Sequence, residues 1–301
     1  MFGKGISAEM VISSARRLHP ELEREGMPIG VLSALEDLTQ QEFDTVDKAV
    51  MHCAYSVQNK FGRLFDERIY ENEMARRLRE RGFRVQTQVP VRVSHNSFEK
   101  RYFLDLVVNG MVYELKSVAT LVPEHHAQAL NYAMLVDIRR VKLINFRPSR
   151  VVGELIFNPV TKPSRCCATY VTDSFTPKTS GCEQLLQHVK DLVRDWGTHL
   201  SCRLYNEALV HFFGGEMRCV ERVDVGDAQE YLGTHLVQSH AVGYSFVVTG
   251  LTIRIREYQM HLQRLLNHMD LFGIQWINFS HSEVTFTTLL NEFRSAARGQ
   301  R

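Results

Sequence analysis

Apolar and polar positions along this chain change period in a regular order. Residues 45–60 and 66–81 read as two helices, broken at Phe61-Gly62 and ended by Gly82. Segments 84–93, 102–108 and 111–117 are rich in Val, Leu, Phe and Tyr and read as strands. A helix over 123–136 follows, then strands over 141–146 and 151–157. The order α-β-β-β-α-β predicts a mixed sheet with helices packed on it, an α/β fold. Residues 1–43 read as a polar helical extension. Residues 159–181, rich in Pro, Ser and Thr, read as a linker.

The second half repeats the first. FGRLFDERIYENEMARRL (61–78) aligns with WGTHLSCRLYNEALVHFF (196–213), and FLDLVVNGMVYELK (103–116) with YSFVVTGLTIRIR (244–256). HHAQALNY (125–132) aligns with HLQRLLNH (261–268), and LINF (143–146) with WINF (276–279). Four blocks in one order predict an internal duplication. The expected units are 44–158 and 182–293, with a short basic tail at 294–301.

The first copy carries chemistry. Asn109-Gly110 between two apolar runs predicts a two-residue type I′ hairpin. Such a turn sets Val108 opposite Met111, Val107 opposite Val112 and Asp105 opposite Glu114, with Lys116 on the face of Glu114. Two opposed carboxylates repel each other unless a cation lies between them, and hard oxygen ligands suit Mg²⁺ or Mn²⁺. A neighbouring lysine can orient an attacking water or stabilise phosphate charge. The competing reading is an exposed carboxylate pair neutralised by Lys116. Glu67, in the second helix, is a third acid able to reach the cluster, or a solvated helix residue. Gln128 and Tyr132 share a helix face at i, i+4.

Composition narrows the classes. The 301 residues are 44% hydrophobic, enough for a packed core, and 36 basic against 34 acidic side chains leave a net charge of +2. Any nucleic-acid surface is therefore local. The most basic stretch, 51–100, holds Arg76, Arg77, Arg79, Arg81 and Arg84, able to follow a phosphate backbone or to form a solvated helix face. No apolar run approaches the ~20 residues that span a bilayer. Six cysteines without a CxxC pair fit reduced thiols, and the expected location is cytoplasmic. His125 and His126 read as flanking a helix start.

The ordered set Gly62…Glu67-x-x-Tyr70, Val89-Pro90-Val91, Asp105…Glu114-Leu115-Lys116, His125-x-x-Gln128…Asn131-Tyr132 and Ile144-Asn145-Phe146 resembles the bacterial GxxExxY protein family. That family is assigned to the PD-(D/E)XK, restriction-endonuclease-like, nuclease superfamily. The resemblance spans about residues 45–157. One family glycine, three residues before Glu67, is Leu64 here. The resemblance implies Mg²⁺-dependent phosphodiester hydrolysis, with DNA favoured over RNA. It implies that Asp105, Glu114 and the Leu115 carbonyl ligate metal, with Glu67 as a third ligand or a group that positions the water. Lys116 would handle the water or the developing charge, and Gln128 and Tyr132 would orient the substrate or the groups around the metal.

In the second copy the same alignment sets Cys202 at Glu67, Ser245 at Asp105, Arg254 at Glu114, Arg256 at Lys116, Arg264 at Gln128 and His268 at Tyr132. That copy therefore reads as degenerate. It is expected to pair with the first as an intramolecular pseudo-dimer, with one active site per chain. The rival function is a non-catalytic nucleic-acid-binding or protein-interaction module that retains the fold.

Overall fold

The computed structural model describes residues 27–31, 33–226 and 230–294. The chain divides into two compact units, Met1–Pro159 and Val160–Arg301.

The first unit begins with strand β1 (Ile29–Val31), followed by helices α1 (Gln40–Phe61) and α2 (Glu67–Glu80). Strands β2 (Val85–His95), β3 (Phe98–Val108) and β4 (Met111–Lys116) come next. Helix α3 (Pro123–Leu135) and strands β5 (Arg140–Asn145) and β6 (Val152–Phe157) complete it. The sheet order is β1-β2-β3-β4-β5-β6, with β4 and β5 parallel and the other pairs antiparallel. Helix α1 starts earlier than its apolar period suggests, because Thr39 and Glu42 cap it reciprocally.

Val50, Cys53 and Val57 of α1 and Tyr70, Met74 and Leu78 of α2 pack with Leu106, Tyr113, Leu115 and Ile144 of the sheet. Alternation then turns Glu114 and Lys116 away from this core. The turn at Asn109-Gly110 has φ of 49° and 88°, as a type I′ turn requires. A side chain at Gly110 would meet Glu36 at 3.0 Å, so the turn needs glycine twice over.

The extension is corrected where it is described. Residues 29–31 form an edge strand antiparallel to β2, and no helix begins before Gln40 among the described residues. Sheet-edge pairing decides this segment, and its three residues are too few to show a period. Residues 1–26 lie outside the described residues, as do 295–301 of the basic tail.

The second unit holds α4 (Lys162–Cys166), β7 (Thr169–Ser174), α5 (Ser180–Trp196), α6 (Cys202–Phe212) and α7 (Glu216–Cys219). There follow β8 (Val220–Gly226), β9 (Tyr231–Ala241), β10 (Tyr244–Thr249), α8 (Ile255–Asn267), β11 (Gly273–Ser280) and β12 (Glu283–Leu290). Its sheet order is β7-β12-β11-β10-β9-β8. The segment read as a linker therefore supplies a helix and an edge strand, β7, that runs parallel to β12. Its Ser/Thr content misled the reading, since Thr, Tyr and Val also suit an edge strand.

The two units share local contacts. Tyr70 donates to the Gly62 carbonyl and stacks on Phe146 with centroids 4.3 Å apart; Tyr205 donates to the Gly197 carbonyl and stacks on Phe279 at 4.4 Å. Asn145 accepts from the Val118 amide and donates to its carbonyl, while Asn278 does the same with Leu251. β10 ends at Thr249, and Arg254 takes a left-handed conformation before α8, so 251–256 is not a second hairpin arm.

Strand register then corrects the correspondence between the copies. Glu114 pairs with Leu143 and Lys116 with Asn145; Val247 pairs with Trp276 and Thr249 with Asn278. Leu106 faces Tyr113 as Gln238 faces Phe246. The second unit thus sets Val237, Val247 and Thr249 where the first has Asp105, Glu114 and Lys116. Ser245, Arg254 and Arg256 do not occupy those places. The strands before and after helices α3 and α8 keep one spacing in both units, which sets His261 at Gln128 and Leu265 at Tyr132 instead of Arg264 and His268. Cys202 keeps its place opposite Glu67, three residues before the stacked tyrosine.

Candidate active site

The β3–β4 ladder pairs Val108 with Met111, Val107 with Val112 and Leu106 with Tyr113, and then stops. Asp105 and Glu114 come next on the two strands. On the other side of β3, the β2 ladder pairs Thr87 with Leu106 and Val89 with Leu104 but skips Gln88 and Asp105. Gln88 has φ of 51°, a left-handed conformation within a strand. Asp105 therefore sits where β3 is unzipped on both sides, and its carboxylate is free to bond with what the ladder leaves open.

Side chains fill that gap. Asp105 Oδ2 accepts from the Leu115 amide at 2.9 Å, and Oδ1 accepts from Gln88 Nε2 at 3.3 Å. Lys116 Nζ donates to Glu114 Oε1 at 2.7 Å. Glu114 is 1% exposed and Lys116 8%. Glu114 and Lys116 therefore lie inside the protein, whereas Asp105 is half-buried at the cleft, so the group is not an exposed carboxylate pair. Glu114 Oε2 is buried without a hydrogen-bond partner. Burial, then the charge of Asp105, raises the Glu114 carboxyl to about 8, against the opposing pull of Lys116.

Glu67 Oε1 accepts from the Ser117 amide at 2.9 Å, which ties α2 to the end of β4. Glu67 and Asp105 line one cleft of about 440 Å³ with Glu71, Gln88, Ser117 and Arg147. Gln128 Nε2 donates to the Tyr132 hydroxyl at 3.0 Å. Burial first, then the charge of Glu114, raises the Tyr132 phenol to about 12, so it remains a neutral hydrogen-bonding group at ordinary pH. Glu67, Asp105, Glu114 and Lys116 thus join through the sheet and α2, and the Tyr132 phenol, with Gln128 bonded to it, responds to the Glu114 charge.

Three cleft residues escaped the sequence reading. Glu71 is 3% exposed, and its Oε2 accepts from Gln88 Nε2 at 2.6 Å. Its spacing of four from Glu67 on one helix was the available signal. Gln88 gave none, since a left-handed glutamine within a strand has no local signature. Arg147 follows Phe146 and brings a cation to the cleft.

The arginine cluster is largely committed to the fold. Arg76 and Arg77 pair with Glu73, Arg79 donates to the Val85 carbonyl, and Arg84 pairs with Glu36. His125 accepts from the Val122 amide and His126 bonds Glu154, so both hold the start of α3. The six cysteines are free thiols. Among the described residues no helix is long and apolar enough to cross a membrane.

Among the described residues, the corresponding place in the second unit has no acid. A cavity of about 460 Å³ there is lined mostly by apolar residues, Val237, Val247 and Leu265 among them, with Cys202, Arg203, Asn206 and His235.

Residues 44–155 match the family model of the PD-(D/E)XK nuclease superfamily. The match covers Glu67, Asp105, Glu114, Lys116, Gln128 and Tyr132. It ends before the second unit. No curated protein and no solved structure matches the chain.

Proposed function

We propose that residues 44–158 form a metal-dependent nuclease unit that hydrolyses phosphodiester bonds, with DNA as its polymer and one active site per chain. The observation that carries this reading is the Asp105–Glu114–Lys116 group, with Glu114 and Lys116 buried and one Glu114 oxygen left unbonded. A buried carboxylate oxygen without a donor calls for a proton or a cation. The superfamily match supplies the reaction class, and the finer resemblance to the GxxExxY family rests on the ordered set from Gly62, Glu67 and Tyr70 to Ile144-Asn145-Phe146, with Leu64 in place of the family glycine.

The donor set fits a hard divalent cation such as Mg²⁺ or Mn²⁺. Asp105 and Glu114 would hold it, helped by the Leu115 carbonyl, with Glu67 on the cleft side. Among the described residues no three His, Cys, Asp or Glu side chains form a ready cage. Water would complete the shell, as Mg²⁺ commonly requires. Bound there, the cation supplies Lewis-acid polarisation of a phosphoryl oxygen and a more acidic water.

The protein's own groups divide the remaining work. Lys116, held beside Glu114, keeps its proton and offers positive charge to the attacked phosphate or orients the incoming water. Arg147, and Arg68 at the cleft mouth, meet the charge of the flanking phosphates. Tyr132, with Gln128 fixing its hydroxyl, donates a hydrogen bond to substrate. We infer that the second unit is a degenerate repeat of the first, in which hydrophobic residues replaced the acids and only the scaffold was kept.

The test uses labelled single-stranded, nicked and branched DNA with Mg²⁺, Mn²⁺ or EDTA. Wild type is expected to cleave with metal and not with EDTA, and Glu114→Ala to be inactive. Salt-sensitive binding without cleavage by either protein would replace the nuclease with a binding module.

A further inference from the structure

We propose that Gln88 is a positioning residue that fixes the Asp105 carboxylate, and that Glu71 in turn fixes Gln88. The inference rests on the metal-dependent reading above and extends it to residues outside the motif.

Gln88 Nε2 donates to Glu71 Oε2 at 2.6 Å and to Asp105 Oδ1 at 3.3 Å. The second Asp105 oxygen is held by the Leu115 amide at 2.9 Å. Both oxygens of Asp105 are therefore assigned, one from each neighbouring strand, and the carboxylate cannot turn freely. Glu71 is almost wholly buried, and among the described residues its other oxygen makes no hydrogen bond, the exposed Arg68 lying 3.4 Å from it. A carboxylate accepts only, so Glu71 selects the amide orientation in which Gln88 presents N–H groups.

The backbone supports the same conclusion. A left-handed glutamine inside a strand is unfavourable, and both ladder partners are given up there. Such local strain persists where something else requires the geometry, and here the side chain it delivers reaches Asp105. Groups that hold a ligating carboxylate in this way normally govern metal affinity.

This predicts an opposition between stability and binding that a purely structural residue would not show. Gln88→Gly removes the amide and places in the left-handed position the residue best suited to it. Combined with Glu71→Leu, so that no buried carboxylate is left without its donor, it is expected to unfold near the wild-type temperature. Its affinity for Mn²⁺ alone, read by electron paramagnetic resonance, is expected to fall by about tenfold to a hundredfold. Gln88→Asn, which also tolerates left-handed backbone and keeps a shorter amide, should lie between.

Mn²⁺ affinity in Gln88→Gly within about twofold of wild type, well below the loss expected of a carboxylate-holding residue, would overturn the positioning role and leave the metal site standing. Absence of Mn²⁺ binding in wild type, or unchanged binding in Glu114→Ala, would overturn the metal-site reading and this inference with it. A Gln88→Gly protein that fails to fold would show that Gln88 serves the fold, and would also overturn the proposal.

Discussion

Lys116 Nζ lies 2.7 Å from Glu114 Oε1, and both side chains are buried at the end of β4. Each needs the other. The ammonium is the charge nearest a carboxylate that burial and Asp105 push toward its neutral form.

Stability without divalent cations should carry this signature. The Glu114 carboxyl is raised from 4.5 to about 8 in the folded protein. Between those values the folded state holds a proton that the unfolded state has lost, so stability falls as pH rises through the window. Thermal unfolding in EDTA should show a decline that is shallower in Glu114→Gln. Parallel profiles would mean that Glu114 titrates normally.

Lys116→Met should leave Glu114 buried without its counter-charge. The expected loss is about 3–5 kcal/mol where Glu114 is ionised, and less in acid, where the carboxyl is neutral. Adding Glu114→Gln should recover most of it. Denaturant unfolding on both sides of the window measures this. A loss independent of pH would assign Lys116 a packing role only.

Asn145 and Asn278 offer an internal comparison. Each makes two bonds to a backbone just beyond a strand end. Asn145→Leu and Asn278→Leu should each cost about 1–3 kcal/mol for the groups left unpaired. Only Asn145→Leu should also lower cleavage, because Val118 follows Ser117, whose amide holds Glu67. Equal effects on cleavage would show that the second unit is needed for chemistry.

The apolar cavity of the second unit should be neutral to the reaction. Val247→Ala and Cys202→Ala are expected to leave the cleavage rate at the wild-type level, whereas Glu114→Ala abolishes it. A loss of rate in Val247→Ala with the fold intact would give that cavity a function in the reaction.

Much of this molecule is local information. The type I′ turn at Asn109-Gly110 specifies the β3–β4 register, because two residues between antiparallel strands permit one pairing. The turn and strand alternation together brought Asp105, Glu114 and Lys116 to one place. Helical spacing did the same for Gln128 and Tyr132. The contacts that the two units have in common were also legible, since the Tyr and Asn that hold each unit's strand ends recur with their neighbours.

What eluded the one-dimensional pattern was decided by contacts distant along the chain. The second hairpin was displaced by several residues because Val-Val and Gly recur at 247–250, while Asn278 and the parallel register to β11 set the true place of Thr249. Strands β1 and β7 exist because sheet edges were available to pair with them. Glu71, Gln88 and Arg147 meet only once α2, β2 and the segment after β5 have packed around one cleft. By itself, then, the sequence determined the helices and strands of residues 45–157, the central hairpin and its three charged residues, all consequences of turn geometry and short periods. Tertiary structure alone decided that Glu114 and Lys116 are buried, that Asp105 is gripped from both sides, and that the second unit has no acid at the corresponding place. Burial and cross-strand bonding depend on partners that no local period encodes.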